Sequence, residues 1–161
     1  MDEVDRIVAA WRRERPETDV SPMEVLSRVT RLAKHLDRLR KQAFAAQGLE
    51  PWEFDVLAAL RRAGDPYELS AGQLVTATMV TSGTMTNRVD RLQGKGLVER
   101  RPAPSDRRGV LVRLTTAGRE RVDAALDELM HHESRLLADL PAADRESIAS
   151  SLRVLTQPFS E

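Results

Sequence analysis

Cysteine is absent from this chain of 161 residues. A disulfide scaffold, a thiolate metal site and a cysteine nucleophile are therefore excluded. Apolar runs of the roughly 20 residues that a membrane-spanning helix needs are also lacking. The amino terminus starts with acidic residues and has no long apolar stretch, so we do not expect a signal peptide. These features predict a cytoplasmic protein, long enough to bury a core of its own.

Net charge is lacking as well, because 25 Lys and Arg residues balance 25 Asp and Glu residues. The charges are nevertheless distributed unevenly. Residues 81–121 hold 10 basic and 4 acidic side chains, whereas residues 122–161 hold 3 basic and 8 acidic ones. Positive charge concentrated in one segment is typical of a surface that binds phosphates, although a solvated face would also explain it.

Hydrophobic periodicity predicts a mainly helical protein. Val4, Ile7, Val8 and Trp11 have the spacing of a short amphipathic helix at the start of the chain. Serine and threonine caps, glycines and Pro141 mark the starts and ends of the later helices. Further helices are predicted at about 22–48, 51–63, 70–77, 82–95, 116–140 and 142–155.

After the helix at 82–95 the apolar spacing changes to that of a β-strand. Residues 110–114 alternate as a strand does, and residues 97–101 can pair with them. The turn-rich segment 102–109 lies between them and carries Arg107 and Arg108. Short helices followed by such a hairpin predict a winged helix-turn-helix, a mainly α fold with a small β-hairpin wing.

The helix at 82–95 has the pattern of a helix that reads DNA. At 100° per residue, Met85, Val89 and Leu92 cluster on one side, whereas Asn87 and Arg91 point away. Asn pairs bidentately with adenine and Arg with guanine in the major groove. An ordinary solvated face is the alternative, but such faces usually carry Glu and Lys pairs. The candidate DNA-binding residues are Ser82, Gly83, Thr84, Thr86, Asn87, Arg91, Arg107 and Arg108.

Two segments resemble a known family of transcriptional regulators. Thr81–Leu92, followed by Gly96–Arg100, is similar to the recognition helix of MarR-family proteins. Asp106–Gly118 is similar to the wing of that family and to the start of the helix after it. Together with the flanking helices, the resemblance extends over nearly the whole chain.

The resemblance implies one MarR-type domain over residues 1–161 and a homodimer that binds a pseudo-palindromic operator. It divides the chain into amino-terminal helices at 1–48, a winged helix-turn-helix at 50–115 and carboxyl-terminal helices at 116–161. The first and last helices would pair in the dimer. The acidic, heptad-like carboxyl-terminal segment also fits a dimer helix on its own terms, with a helix of an intramolecular bundle as the alternative.

A narrower resemblance concerns a ligand. The urate-responsive branch of the family has an additional amino-terminal helix with a Trp, an Asp in the support helix and two Arg residues, which match Trp11, Asp55, Arg88 and Arg100. The resemblance implies a site for a small anionic effector, urate-like or a tricarboxylate. From the residues alone, Trp11 is most simply a core anchor and Asp55 a surface residue, whereas Arg88 projects beside the buried stripe and suits an anion.

Other functions have weaker support in the sequence. The motifs of phosphate-binding loops, nucleophile elbows and zinc proteases are missing, so we expect neither an enzyme nor a cofactor. His131 and His132 diverge by 100° on a helix, which argues against a metal site. The prediction is therefore a ligand-responsive DNA-binding repressor. The alternative is a helical dimeric adaptor whose basic face binds an acidic protein.

Overall fold

The computed structural model describes residues 1–103 and 106–159, and for Ala103 and residues 106–109 it describes the backbone alone. A 3₁₀ turn, Gln157–Phe159, follows the last helix. The helices and strands are α1 (Glu3–Glu14), α2 (Pro22–Ala45), α3 (Pro51–Arg62), β1 (Glu68–Ser70), α4 (Ala71–Thr78), α5 (Ser82–Gly94), β2 (Val98–Ala103), β3 (Asp106–Leu114), α6 (Thr116–Leu136) and α7 (Ala142–Thr156).

The chain forms two compact units, Met1–Gln42 and Ala43–Glu161. In the first unit, α1 and the start of α2 enclose a small core of Val4, Val8 and Val20. At its surface the Arg28 guanidinium lies 2.8 Å from an Asp2 oxygen. The hydrogen bond from Arg28 lowers the pKa of the Asp2 carboxyl.

The second unit contains the main core, centred on α3. Val56, Leu57 and Leu60 are fully buried there, against α4, α6 and the sheet. The Phe44 and Phe54 rings stack with centroids 4.0 Å apart at the start of this core. Helix α3, the support helix of the winged helix-turn-helix, is thus the best-buried helix of the fold, and it holds the elements around it in fixed positions.

The sheet has three antiparallel strands in the order β1-β3-β2. The predicted pairing of residues 97–101 with 110–114 is confirmed, since Arg100 lies opposite Val112. Two details of the prediction were wrong. The stretch between the helices predicted at 51–63 and 70–77 was given no strand, but it contributes most of β1, which is too short to show an alternating pattern. The segment predicted as a turn at 102–109 is largely strand, because the pairing continues to Ala103 and Asp106.

Hydrogen bonds at Thr115 hold the start of α6 against the residues that follow α5. Thr115 caps α6, since its hydroxyl accepts a hydrogen bond from Gly118 N at 3.0 Å. The same hydroxyl donates to Gly96 O at 2.7 Å, and Thr115 N donates to Leu97 O at 3.1 Å. A Cβ at Gly118 would lie 2.0 Å from Leu97 O, so only glycine permits this approach.

The last helix, α7, buries none of its residues although it carries an apolar stripe. Ile148, Leu152 and Leu155 each keep more than two fifths of their surface exposed. The predicted start of α7 after Pro141 is confirmed, since Pro141 caps it, whereas α6 ends at Leu136 and not at residue 140 as predicted. Across the described ranges, none of the helices is both long and apolar enough to cross a membrane.

Candidate nucleic-acid interface

Helix α5 presents one apolar face and one polar face, as its sequence predicts. Met85, Val89 and Leu92 are buried in the main core. Thr81 caps the helix by accepting a hydrogen bond from Thr84 N at 3.3 Å, and the chain leaves it through Gly96 at a φ of +70°. The polar candidates on this helix are all solvent-exposed: Ser82, Gly83, Thr84, Thr86, Asn87 and Arg91.

Helix α4 and a tight turn set the angle at which α5 leaves the core. A capping box starts α4, in which Ser70 N and Gln73 N each bond to the other residue's side chain. Met79 ends the helix in the left-handed conformation, with φ +51°, and is 92% exposed. Val80 then packs on the core, so the turn is anchored on both sides of its strained residue.

An ion pair joins the carboxyl end of α5 to the support helix α3. The Lys95 ammonium lies 2.6 Å from Glu53 Oε1. Glu53 is fully buried, whereas the Lys95 side chain is 41% exposed. The other carboxylate oxygen, Oε2, accepts a hydrogen bond from Glu50 N at 2.9 Å. The buried carboxylate of Glu53 therefore links the carboxyl end of α5 to α3.

An open cleft of about 470 Å³ lies along the polar face of α5. Trp52 of α3 forms one wall, and its ring contacts two arginines of α5. The guanidinium carbon of Arg88 lies 5.4 Å from the ring centroid, and that of Arg91 lies 4.8 Å away. The lining residues are Trp52, Gly83, Thr84, Asn87, Arg88 and Arg91. The structure thus brings one candidate ligand-binding arginine next to the candidate DNA-binding residues.

The other candidate ligand residues are placed differently. Arg100 on β2 pairs with Asp90 at 2.6 Å and donates to Gln93 Oε1 at 2.9 Å. Asp55 is exposed on α3, as its spacing predicts, and borders a separate depression of about 230 Å³ beside Met79. Neither Arg100 nor Asp55 is among the described residues that line the cleft at Trp52.

Trp11 lies on α1, in the first of the two units. The interpretation of Trp11 as the core anchor of α1 was wrong, because 46% of its surface is exposed. Val4 and Val8, one turn apart on the same helix, form that small core instead.

The wing contributes the remaining candidates. Arg107 and Arg108 lie on β3 rather than in a turn, and their side chains are outside the described part of the structure. Residues 104 and 105, at the predicted tip, are also outside it. Within the described residues, no cluster of three or more His, Asp or Glu side chains is placed to hold a metal ion.

Sequence reasoning missed three residues of this interface. Trp52, Glu53 and Lys95 were not among the candidate residues. A tryptophan at the start of the support helix, followed by a glutamate within an apolar helix, was the available signal. Nothing in the spacing shows that both side chains reach α5 or its carboxyl end, because 19 residues, 63–81, separate α3 from α5 in the chain.

Comparison with known proteins identifies the family. A family model described as "MarR family" matches residues 47–109, which include α3, α4, α5 and β2. The regulator PecS of Dickeya dadantii is 37% identical over 150 residues, which are 93% of this chain and 90% of PecS. The chain belongs to the MarR family.

Solved structures of MarR-family proteins have the same fold. A variant of Escherichia coli MarR complexed with operator DNA superposes with a TM-score of 0.69 at 28% identity, over 86% of this chain and 99% of that one. BpsR of Bordetella bronchiseptica, whose DNA binding is regulated by 6-hydroxynicotinic acid, gives a TM-score of 0.67 at 28% identity over 82% and 92%.

Membership in the MarR family settles the broad function. The protein is a DNA-binding transcriptional regulator of the winged helix-turn-helix class and not an enzyme. Among the similar proteins, the Escherichia coli MarR variant binds operator DNA, and the DNA binding of BpsR is regulated by a small molecule. The alternative of a helical adaptor is not favoured.

Proposed function

We propose that this MarR-family protein is a repressor that binds a pseudo-palindromic operator as a homodimer and is released by a small anion. The observation that supports it best is the exposed polar face of α5. There Asn87 and Arg91 line one cleft together with Gly83 and Thr84, which lie at the amino end of the capped helix. Backbone N–H groups at such an end favour phosphates, and the two side chains suit base edges.

Base contacts and phosphate contacts should respond differently to mutation. Asn87→Ala and Arg91→Ala are each expected to reduce the preference for operator over random DNA, by about 1–3 kcal/mol for one lost bidentate contact. Arg107→Ala should weaken binding to every sequence and flatten the dependence of affinity on salt, because a phosphate contact releases counterions. Titration of labelled operator and random duplexes at several salt concentrations measures both effects.

Arg6→Ala is the matched control, since it removes an equal charge from an exposed residue of α1. It should leave the operator preference as in the native protein. If Arg107→Ala left the salt dependence intact while Asn87→Ala changed it, the roles assigned to the helix and the wing would be wrong.

The homodimer is supported by the unpartnered apolar stripe of α7. A helix whose residues are all accessible gains little from packing within its own chain, so its stripe needs a second surface. We expect Leu152→Asp to shift the native dimer towards monomer in sedimentation experiments at micromolar concentration. Operator affinity should fall with it, because two half-sites about one helical turn apart need two linked winged domains.

Ser150→Asp provides the control for this experiment, because it places the same charge two residues before Leu152, on the face of α7 opposite the apolar stripe. It should sediment as the native dimer does. A native protein that is monomeric at micromolar concentration would refute the dimer.

The proposed effector is an anion, urate-like or a tricarboxylate, that binds Arg88. This arginine is half-buried in the cleft beside Asn87 and Arg91, so an anion held there can change how α5 meets DNA. The resemblance of Trp11, Asp55, Arg88 and Arg100 to the urate-responsive branch supports the choice of ligand. The regulation of BpsR by 6-hydroxynicotinic acid supports an anionic aromatic effector. In the absence of ligand, we expect Asp55 to be the electrostatic partner that keeps an arginine in place.

Effector titrations test this half of the proposal. Urate or citrate at millimolar concentration should weaken operator binding by about 5- to 150-fold, the range expected for coupling of 1–3 kcal/mol. Because linkage is reciprocal, operator DNA should weaken effector binding by the same factor. Arg88→Ala should stay bound to DNA at all effector concentrations. If neither anion changes DNA affinity, or if Arg88→Ala responds as the native protein does, the ligand assignment fails and DNA binding stands.

A further inference from the structure

The Trp52 ring and Arg91 form a pair that crosses from the support helix to the polar face of α5. The guanidinium carbon of Arg91 lies 4.8 Å from the ring centroid, within the range of a cation–π contact. Arg88, one turn earlier, contacts the same ring at 5.4 Å. Two arginines of the α5 helix therefore converge on one aromatic side chain of α3.

The ring itself is held firmly. Trp52 packs partly buried against the main core, and its indole N–H donates a hydrogen bond to Glu50 Oε2. Glu50 in turn is bonded through its backbone N–H to buried Glu53. Glu50 and Glu53 both lie at the start of α3, which is the most deeply buried helix of the fold. The ring is thus a fixed platform, whereas an exposed arginine is intrinsically flexible.

A fixed platform changes what Arg91 can do. An arginine free in solvent must lose the freedom of several torsions before it can pair with a base, and this loss weakens the contact. Stacking on an aromatic ring restricts the side chain in advance and leaves its outer N–H groups available. Arg91 is the more exposed of the two arginines, so it is the one that stays able to reach DNA.

We propose that Trp52 is a positioning residue that holds Arg91 in the orientation required to recognise its base. The inference rests on the proposed role of Arg91 in sequence-specific DNA binding. Trp52 acts through Arg91 and need not touch the operator itself. The sequence specificity of DNA binding by α5 thus depends on a residue of α3.

Trp52→Leu tests the proposal, because leucine keeps an apolar side chain on the core but removes the π face. The ratio of operator affinity to random-DNA affinity should fall by about 2- to 12-fold, which corresponds to the cost of ordering one flexible side chain on binding. Affinity for random DNA and its salt dependence should stay as in the native protein. Trp52→Phe, which retains an aromatic face, should keep most of the preference.

A double-mutant cycle separates positioning from general damage to the fold. In an Arg91→Ala background, Trp52→Leu should cause no further loss of operator preference, because the residue it positions is already gone. An equal loss in both backgrounds would overturn the proposal. So would a Trp52→Leu protein that discriminates as well as the native one. If the native protein itself showed no operator preference, the proposed function would fail instead.

A measurement on the native protein covers the case in which Trp52→Leu does not fold. The NMR signal of the Arg91 Nε–H group, assigned by its loss in Arg91→Lys, should be shifted upfield by the ring current of Trp52. The upfield shift of this signal should be present in the protein without DNA, both at low temperature and at room temperature. An Arg91 signal at the position of a freely rotating arginine would overturn the proposal.

Discussion

Gly118→Ala is expected to cost the protein about 3 kcal/mol of folding free energy, at the upper end of the range for overpacking. The added Cβ would lie 2.0 Å from Leu97 O and 3.1 Å from Leu114 Cδ2. The carbonyl cannot withdraw easily, because it accepts the hydrogen bond from Thr115 N. Relief would require α6 to move away from the segment that joins α5 to β2.

Thermal unfolding at a fixed protein concentration measures this effect. For a chain of this length, 3 kcal/mol corresponds to a fall in Tm of about 6–12 °C. Gly94→Ala is the matched control, since the described structure has nothing within 4 Å of a Cβ at that helical position. It should leave the Tm unchanged or raise it slightly, because alanine is the better helix former by at most about 1 kcal/mol. Equal Tm values for the two variants would contradict the close approach at Gly118.

Lys95→Met is expected to destabilise the protein by about 3 kcal/mol. Methionine keeps the apolar stem of the side chain but leaves the carboxylate of Glu53, which is fully buried, without its cation. An unpaired buried charge costs several kcal/mol, and the partial exposure of Lys95 places the value near the low end of that range. Because the pair joins α5 to α3, operator affinity should also fall.

Two variants check that the buried charge is the cause. Lys41→Met breaks an ion pair with Asp37 of nearly the same length, 2.8 Å, but both of those side chains are about 60% exposed. It should change the free energy of unfolding by less than about 1 kcal/mol. Adding Glu53→Gln to Lys95→Met should restore most of the lost stability, because the amide oxygen can still accept from Glu50 N. If the double variant were as unstable as Lys95→Met, packing rather than charge would be responsible.

Much of the winged helix-turn-helix could be predicted because its signals are local. Caps at Ser70 and Thr81, the glycine after α5 and the proline before α7 each act on the few residues beside them. The apolar stripe of α5 requires only that the helix pack on something. Strand β1 was missed for the opposite reason: its three residues have no pattern of their own and become a strand only by pairing with β3.

The residues of the candidate site divide in the same way. Helical geometry predicted which residues of α5 face outward, and it also predicted that Asp55 is exposed. Other features depend on contacts between elements and were not predicted. Arg88 and Arg91 both contact the Trp52 ring, and Arg100 pairs with Asp90. Trp11 is not part of the core of its unit.

By itself, then, the sequence determined the order of the helices and of the two hairpin strands, the faces of α5 and the family, since periodicity, capping and motif resemblance are properties of neighbouring residues. Only the tertiary structure decided which side chains meet across helices. The Trp52 ring contacts two arginines. Buried Glu53 pairs with Lys95, and Gly118 packs against the carbonyl of Leu97. Each of these contacts joins residues 20 or more positions apart. At such separations the distance between two side chains is set by the packing of whole helices and strands, which no local pattern encodes.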